Sequence, residues 1–167
     1  MAKSKITAWP PNEVHQLRRS LEELGELVKS TRDTESLPWL TRMLVVRSSG
    51  YVEQTCKEVF WDYIEDRTSG LVKSFSHSWL DKSRNPSPDS LLAMIGRFDL
   101  KLRDEFSHFL EADDQRFRRE LAFLVDRRNH IAHGLSEGIH RGKSISLMEV
   151  SLEVSDWLIL KFNPLRF

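Results

Sequence analysis

Cysteine is nearly missing from this chain: Cys56 stands alone, so no disulfide can form within it, and a reducing compartment is the expected home. Net charge is missing too. Lys and Arg total 25 against 25 Asp and Glu, so only a local basic patch, never the overall balance, can speak for a nucleic-acid partner. No stretch approaches the run of about 18 apolar residues that a membrane helix needs, and "MAKSKITAWPPNEV" lacks the apolar centre of a signal peptide. No membrane partner and a cytoplasmic location are therefore expected. Repeats, low-complexity tracts and stretches of persuasive two-residue alternation are also lacking, which removes solenoids and β-sandwiches from consideration.

What remains is a chain of 167 residues, 40% hydrophobic and 30% charged, long enough to bury a core without staples. Its dominant pattern is helical. Val14, Leu17, Leu21, Leu24 and Leu27 recur at three and four residues behind the prolines of "WPPNEV", predicting a first helix that ends near "STRDTES". From Leu40 to Ile64 a second stripe predicts one long helix, with Gly50 the place where a kink would fall because "RSSGY" is poor in helix formers. "GLVKSFSHSWLD" reads as a short amphipathic piece and "KSRNPSPDS" as the clearest loop, since each proline drives its predecessor out of helical backbone. Beyond it, "SPDSLLAMIGRF", "DLKLRDEFSHFLE" and "DDQRFRRELAFLVDRRNHIAHGL" predict three helices. Asp113 and Asp114 are expected at the N-terminus of the last of these and Gly134 near its end. "IHRGKSIS" is expected as a short excursion before a final helix opened by Ser146 and Glu149 in capping-box spacing. The fold class is all-α, a bundle of six to seven helices.

Within it, "DRRNHIAHG" at 126–134 breaks abruptly from the apolar run "LAFLV". At about 100° per residue, Phe117, Leu121, Leu124, Val125, Ala132 and Leu135 fall within about 60° of Arg128, placing that guanidinium on the apolar face. Such a cation needs a buried carboxylate, a neighbouring chain or an anionic ligand, unless its stem packs while its head reaches water. His133 lies about 140° away, on a polar face with Asp126, Asn129 and His130 that a solvated surface explains equally well. His130, His133 and His140 form a poor zinc pattern without a cysteine beside them, so no metal is expected. "RFRRE" at 116–120, with Arg127, Arg141 and Lys143, makes a modestly basic neighbourhood that could guide RNA phosphates. Cys56 sits in a core-like stripe with no evident base, and the five tryptophans, scattered across helices, fit core or dimer packing better than base stacking.

"RRNHIAHG" resembles the Arg-x4-6-His signature of the HEPN superfamily, with Arg128, Asn129 and His133 in its arginine, polar and histidine places. Together with "WLTRMLVVRSSGYVEQ", "NPSPDSLLAMIGRFD" and "ELAFLVDRRNHIAHGLSEGI", it is similar to the bacterial RiboL-PSP-HEPN branch over roughly residues 37 to 163. The resemblance implies a HEPN-like domain at 37–167, with 1–36 as an N-terminal helical arm. It further implies a cofactor-free, metal-independent endoribonuclease of the toxin or antiphage kind, a homodimer whose two signature helices meet at a cleft. His133 would act as general acid/base and Arg128 would stabilise the phosphorane. Asn129 would orient the imidazole or hold phosphate, with Arg127, Asp126 and His130 as neighbouring substrate contacts. RNA is the implied substrate, and an antitoxin or another defence-system subunit an implied partner. The alternative within the superfamily is a non-catalytic interaction or nucleotide-binding subunit.

Overall fold

The computed structural model describes residues 8–80, 85–135 and 138–166. The N-terminal seven residues and the start of the predicted "KSRNPSPDS" loop lie outside these. Among the described residues there are six α-helices, a closing 3-10 turn and no strand: α1 Asn12–Ser30, α2 Leu37–Arg67, α3 Gly70–Leu80, α4 Pro88–Phe98, α5 Leu100–Ala132 and α6 Arg141–Lys161, then Pro164–Arg166. The expected all-α class is what the chain adopts. No helix among these residues is long and apolar enough to cross a membrane.

α2 is the central element, in contact with α1, α3, α5 and α6, and its most extensive contact is with α6. Both helices carry small hydroxyl residues seven apart on buried positions: Thr41, Ser48 and Thr55 on α2, Ser144 and Ser151 on α6. Small side chains let two helix backbones approach closely. The hydroxyls of Thr41, Ser144 and Ser151 donate to carbonyls three residues back at 3.0, 2.8 and 2.6 Å, whereas those of Ser48 and Thr55 are buried with no hydrogen-bond partner among the described residues. The one long helix expected here is what forms, and this packing explains why α2 runs unbroken through Ser48, Ser49 and Gly50: tertiary burial outweighs weak local propensity.

Two apolar clusters fill the interior. The larger joins α2, α4, α5 and α6 around Phe60, Phe106, Leu121 and Phe162, and Phe60 meets Phe98 and Phe162 at ring separations of 4.8 and 4.7 Å. The smaller packs Val14, Leu21 and Val28 of α1 against Leu44, Tyr51 and Met148. Residues 12–30 of the segment expected as an arm are thus a helix laid along α2 and α6.

Two element boundaries differ from expectation. α6 starts at Arg141, behind His140, and the Ser146 to Glu149 capping box does not operate. The helix begins earlier because Ser144 is fully buried on the same face as Leu147 and Ser151, a face that reads as polar by composition. In α5, helical backbone breaks at Ala112, and Asp113, Asp114 and Gln115 adopt left-handed φ of 53°, 54° and 59°, so two helical arms, 100–111 and 116–132, share one long element. Asp113 and Asp114 stand in this link and reach forward to Arg116 (3.8 Å) and Arg119 (3.3 Å). Asp99 does cap the first arm, accepting from the backbone N–H groups of Lys101 and Leu102 at 2.6 and 3.2 Å.

Candidate active site

The second arm of α5 carries the signature stretch, and its apolar face is anchored by Phe117, Leu121, Leu124 and Val125, all buried. Arg128 continues that face to its edge. Its side chain is 41% exposed, its Nη1 donates to Asn129 Oδ1 at 3.2 Å, and its Nη2 lies 3.9 Å from Glu53 Oε2 on α2. Stem burial, solvent access for the head and an internal carboxylate, alternatives that helix angles alone leave open, therefore coexist. A contact of 3.9 Å is beyond hydrogen-bond range, and a pair this exposed is worth about 0 to 1 kcal/mol, so most of the guanidinium fork stays available. Ala132 and Leu135, expected on the buried face, are exposed because the helix ends there.

That end is made by Gly134. At φ 74° it takes the left-handed position that a side chain resists, its N–H donates to Ile131 O, and the N–H of Leu135 reaches His130 O, both at 3.0 Å. The closing carbonyls are satisfied by backbone alone. His133, the C-cap residue, consequently has nothing to cap, and its exposed imidazole makes no hydrogen bond or ion pair among the described residues.

The neighbouring groups divide. Asp126, half exposed, lies 3.4 Å from Arg127 and 3.8 Å from His130 one turn on. Arg127 turns away from Arg128, its guanidinium carbon 4.9 Å from the Phe123 ring centre, where Lys143 also sits at 4.7 Å while bonding Glu120. One chain thus gathers Arg128, Asn129 and Glu53 in one group and Asp126, Arg127 and His130 in another. No contact joins Arg128 to His133.

The expected basic neighbourhood is largely neutralised. Arg116 faces Asp113 and Glu153, Arg118 faces Asp89, and Arg119 faces Asp114. Arg141 is spent on the carbonyl that ends α1, at Thr31. Counting charge along "RFRRE" could not reveal partners on α4 and α6. Among the described residues no group of three or more His, Cys, Asp or Glu is placed to hold a metal ion.

Two features escaped the sequence. Glu53 is the carboxylate facing Arg128, and nothing in its own neighbourhood marks it. On the same side of α2, Trp39, Met43 and Val46 form an outward stripe that is 70%, 55% and 36% exposed. At about 100° per residue these three and Glu53 fall within about 80° of one another. Their spacing is visible in sequence, yet periodicity alone makes such a stripe look buried.

No curated protein and no solved structure matches the chain. The family described as RiboL-PSP-HEPN matches it over residues 12–158, from the first turn of α1 through nearly all of α6 and including the whole signature helix. The chain belongs to the RiboL-PSP-HEPN family.

Proposed function

We propose that this protein is a metal-independent endoribonuclease of the toxin or antiphage kind that cuts RNA as a homodimer. Family membership supports a nuclease-type or defence-related role. One observation carries the finer reading: Arg128 and His133, in the signature's two positions, both keep their functional atoms accessible at the end of α5, one loosely paired and the other unpartnered among the described residues.

The chemistry follows from the residue types. Histidine can accept the ribose 2′-hydroxyl proton or return one to the leaving 5′-oxygen near neutral pH. A guanidinium fork suits the equatorial oxygens of the pentacoordinate phosphorane, and a preorganised donor of that kind commonly contributes about 3 to 4 kcal/mol to the transition state. Asn129, already bonded to Arg128, holds the fork in orientation. Arg128 and His133 do not meet within one chain, so a two-fold assembly is the natural way to converge both pairs on one phosphate. The exposed Trp39, Met43 and Val46 stripe, on the side of α2 that faces Arg128 through Glu53, suits the partner surface.

The test is to incubate purified protein with total RNA in EDTA, beside His133→Ala and Arg128→Ala. Cleavage by the wild type alone supports the reading. The second reading, a non-catalytic HEPN subunit, is favoured by the same lack of contact between the two residues and by the neutralised arginines nearby. It predicts no cleavage by any of the three proteins. Equal cleavage by all three would place the activity outside this site.

A further inference from the structure

Beyond Glu53, α2 runs on to a second concave feature. Ten residues separate Glu53 from Tyr63, which at 1.5 Å per residue is roughly 15 Å, so this feature is distinct from the signature region. It is a groove of about 400 Å³ between the C-terminal end of α2, α3 and the last turn of α4. Its apolar surface comes from Tyr63, Ile64, Phe75, Trp79 and Phe98, and the Phe75 ring is 74% exposed rather than packed away. A volume of this size falls within the usual small-molecule range.

The polar groups are few and of one sign. Arg67 and Arg97 line the groove, and among the described residues no carboxylate does. The Arg97 guanidinium carbon lies 4.7 Å from the Trp79 ring centre, and among the described residues no acid pairs with it. Arg67 is 5.2 Å over Tyr63 and 3.6 Å from Asp66, so its charge is partly matched. Two of the aliphatic hydroxyls are already used: Thr68 donates to Ile64 O and Ser76 to Val72 O, each at 2.8 Å. The adjoining depression differs, because Lys161 and Glu105 pair within it at 2.5 Å and Asp99 lines it too.

We propose that this groove is a binding site for a small apolar monoanion, a carboxylate on an aromatic or branched body, with the body against Phe75, Trp79 and Phe98 and the carboxylate on Arg97, assisted by Arg67. The charge count selects a monoanion: Arg97 supplies one cation unmatched among the described residues while Arg67 is already engaged by Asp66, which is too little for a dianionic phosphate with its larger hydration. RNA is disfavoured because two arginines in one small groove offer no continuous basic track for a phosphate backbone. An Arg held close over an aromatic ring has lost part of its freedom already, so less is lost when the carboxylate arrives.

The experiment titrates the full chain with 2-naphthoate and, separately, with the uncharged 2-naphthamide, by calorimetry and by the indole N–H resonance of Trp79 assigned through Trp79→Phe. The expected result is saturable binding of naphthoate that shifts the Trp79 signal. Naphthamide should bind at least about tenfold more weakly, and so should naphthoate to Arg97→Gln, a difference of about 1.4 kcal/mol. Arg97→Lys should recover part of the loss, and thermal unfolding of both variants should match the wild type, since Arg97 is exposed. No naphthoate binding up to about 5 mM, a threshold far weaker than useful affinity, overturns the proposal. Equal affinity for the amide, or an unchanged affinity in Arg97→Gln, does the same.

Discussion

At the scale of single residues, position decides what a side chain can do. Arg128 was legible because helix angles are set by chain geometry: a cation among Leu121, Leu124 and Val125 must find an exit or a partner, and it finds both. Glu53 was not legible, since nothing local ties it to a residue so distant in sequence. Replacing it tests whether it steadies the fork. Glu53→Gln should keep the fold and weaken any RNA cleavage far less than Arg128→Ala, for which a loss of about 10²- to 10³-fold is expected from removal of a preorganised donor. Rates of RNA cleavage by the two purified variants, compared side by side, check the ordering, and a reversed order contradicts it. Cys56 makes a cleaner stability probe. Its thiol is fully buried in the core and burial pushes its pKa well up, so iodoacetamide should modify the native chain at least about a hundredfold more slowly than the urea-unfolded chain. Comparable rates would mean that the core is open.

At the scale of helices, most elements could be read from their three- and four-residue spacing, and their errors share one cause. Buried serines on α2 and α6 look like breakers or caps in sequence, and only the close helix contact turns them into core. The break in α5 was legible at "EADDQ", although its left-handed backbone was not, because short polar residues serve both helix starts and left-handed turns. Gln115 at φ 59° tests this turn. Gln115→Gly should change stability by no more than about 0.5 kcal/mol, while Gln115→Val should cost about 1 to 2 kcal/mol, because a branched side chain resists left-handed φ. Urea unfolding midpoints measure both. Along α2, burial and the nearby Glu13 carboxylate raise the pKa of both Glu58 and Asp62. A carboxyl raised in the folded state contributes its full stability below the unfolded value, near about 4, and loses it as pH climbs through the folded value. Glu58→Gln should therefore stabilise the protein at pH 7, by about 0.5 kcal/mol or less, and the gain should vanish at pH 3. A gain that grew on acidification would reverse the assigned sign.

At the scale of the whole molecule, one chain presents half of an argument. The fold places Arg128 and His133 near the same helix end without joining them, and leaves a tryptophan, a methionine and a valine outward on the adjacent side of α2. The sequence showed both the signature and this separation, about 140° around the helix, but not the surface a second chain would cover, because spacing along a helix says nothing about a partner. If the stripe is where two copies meet, Trp39→Glu and Met43→Glu should each weaken self-association at least about tenfold in sedimentation equilibrium, since buried aromatic anchors dominate such contacts. The monomer's thermal stability should hold, because both side chains are already exposed. RNA cleavage should fall with the dimer fraction. Unchanged association in both variants would move the interface elsewhere.

The most direct measurement is the cleavage of total RNA in EDTA by the wild type, His133→Ala and Arg128→Ala, each shown to be folded by circular dichroism. The account predicts cleavage by the wild type and a loss of at least about 10²-fold in each variant. A folded wild type that leaves RNA intact, or variants that cut it as fast, would contradict the account.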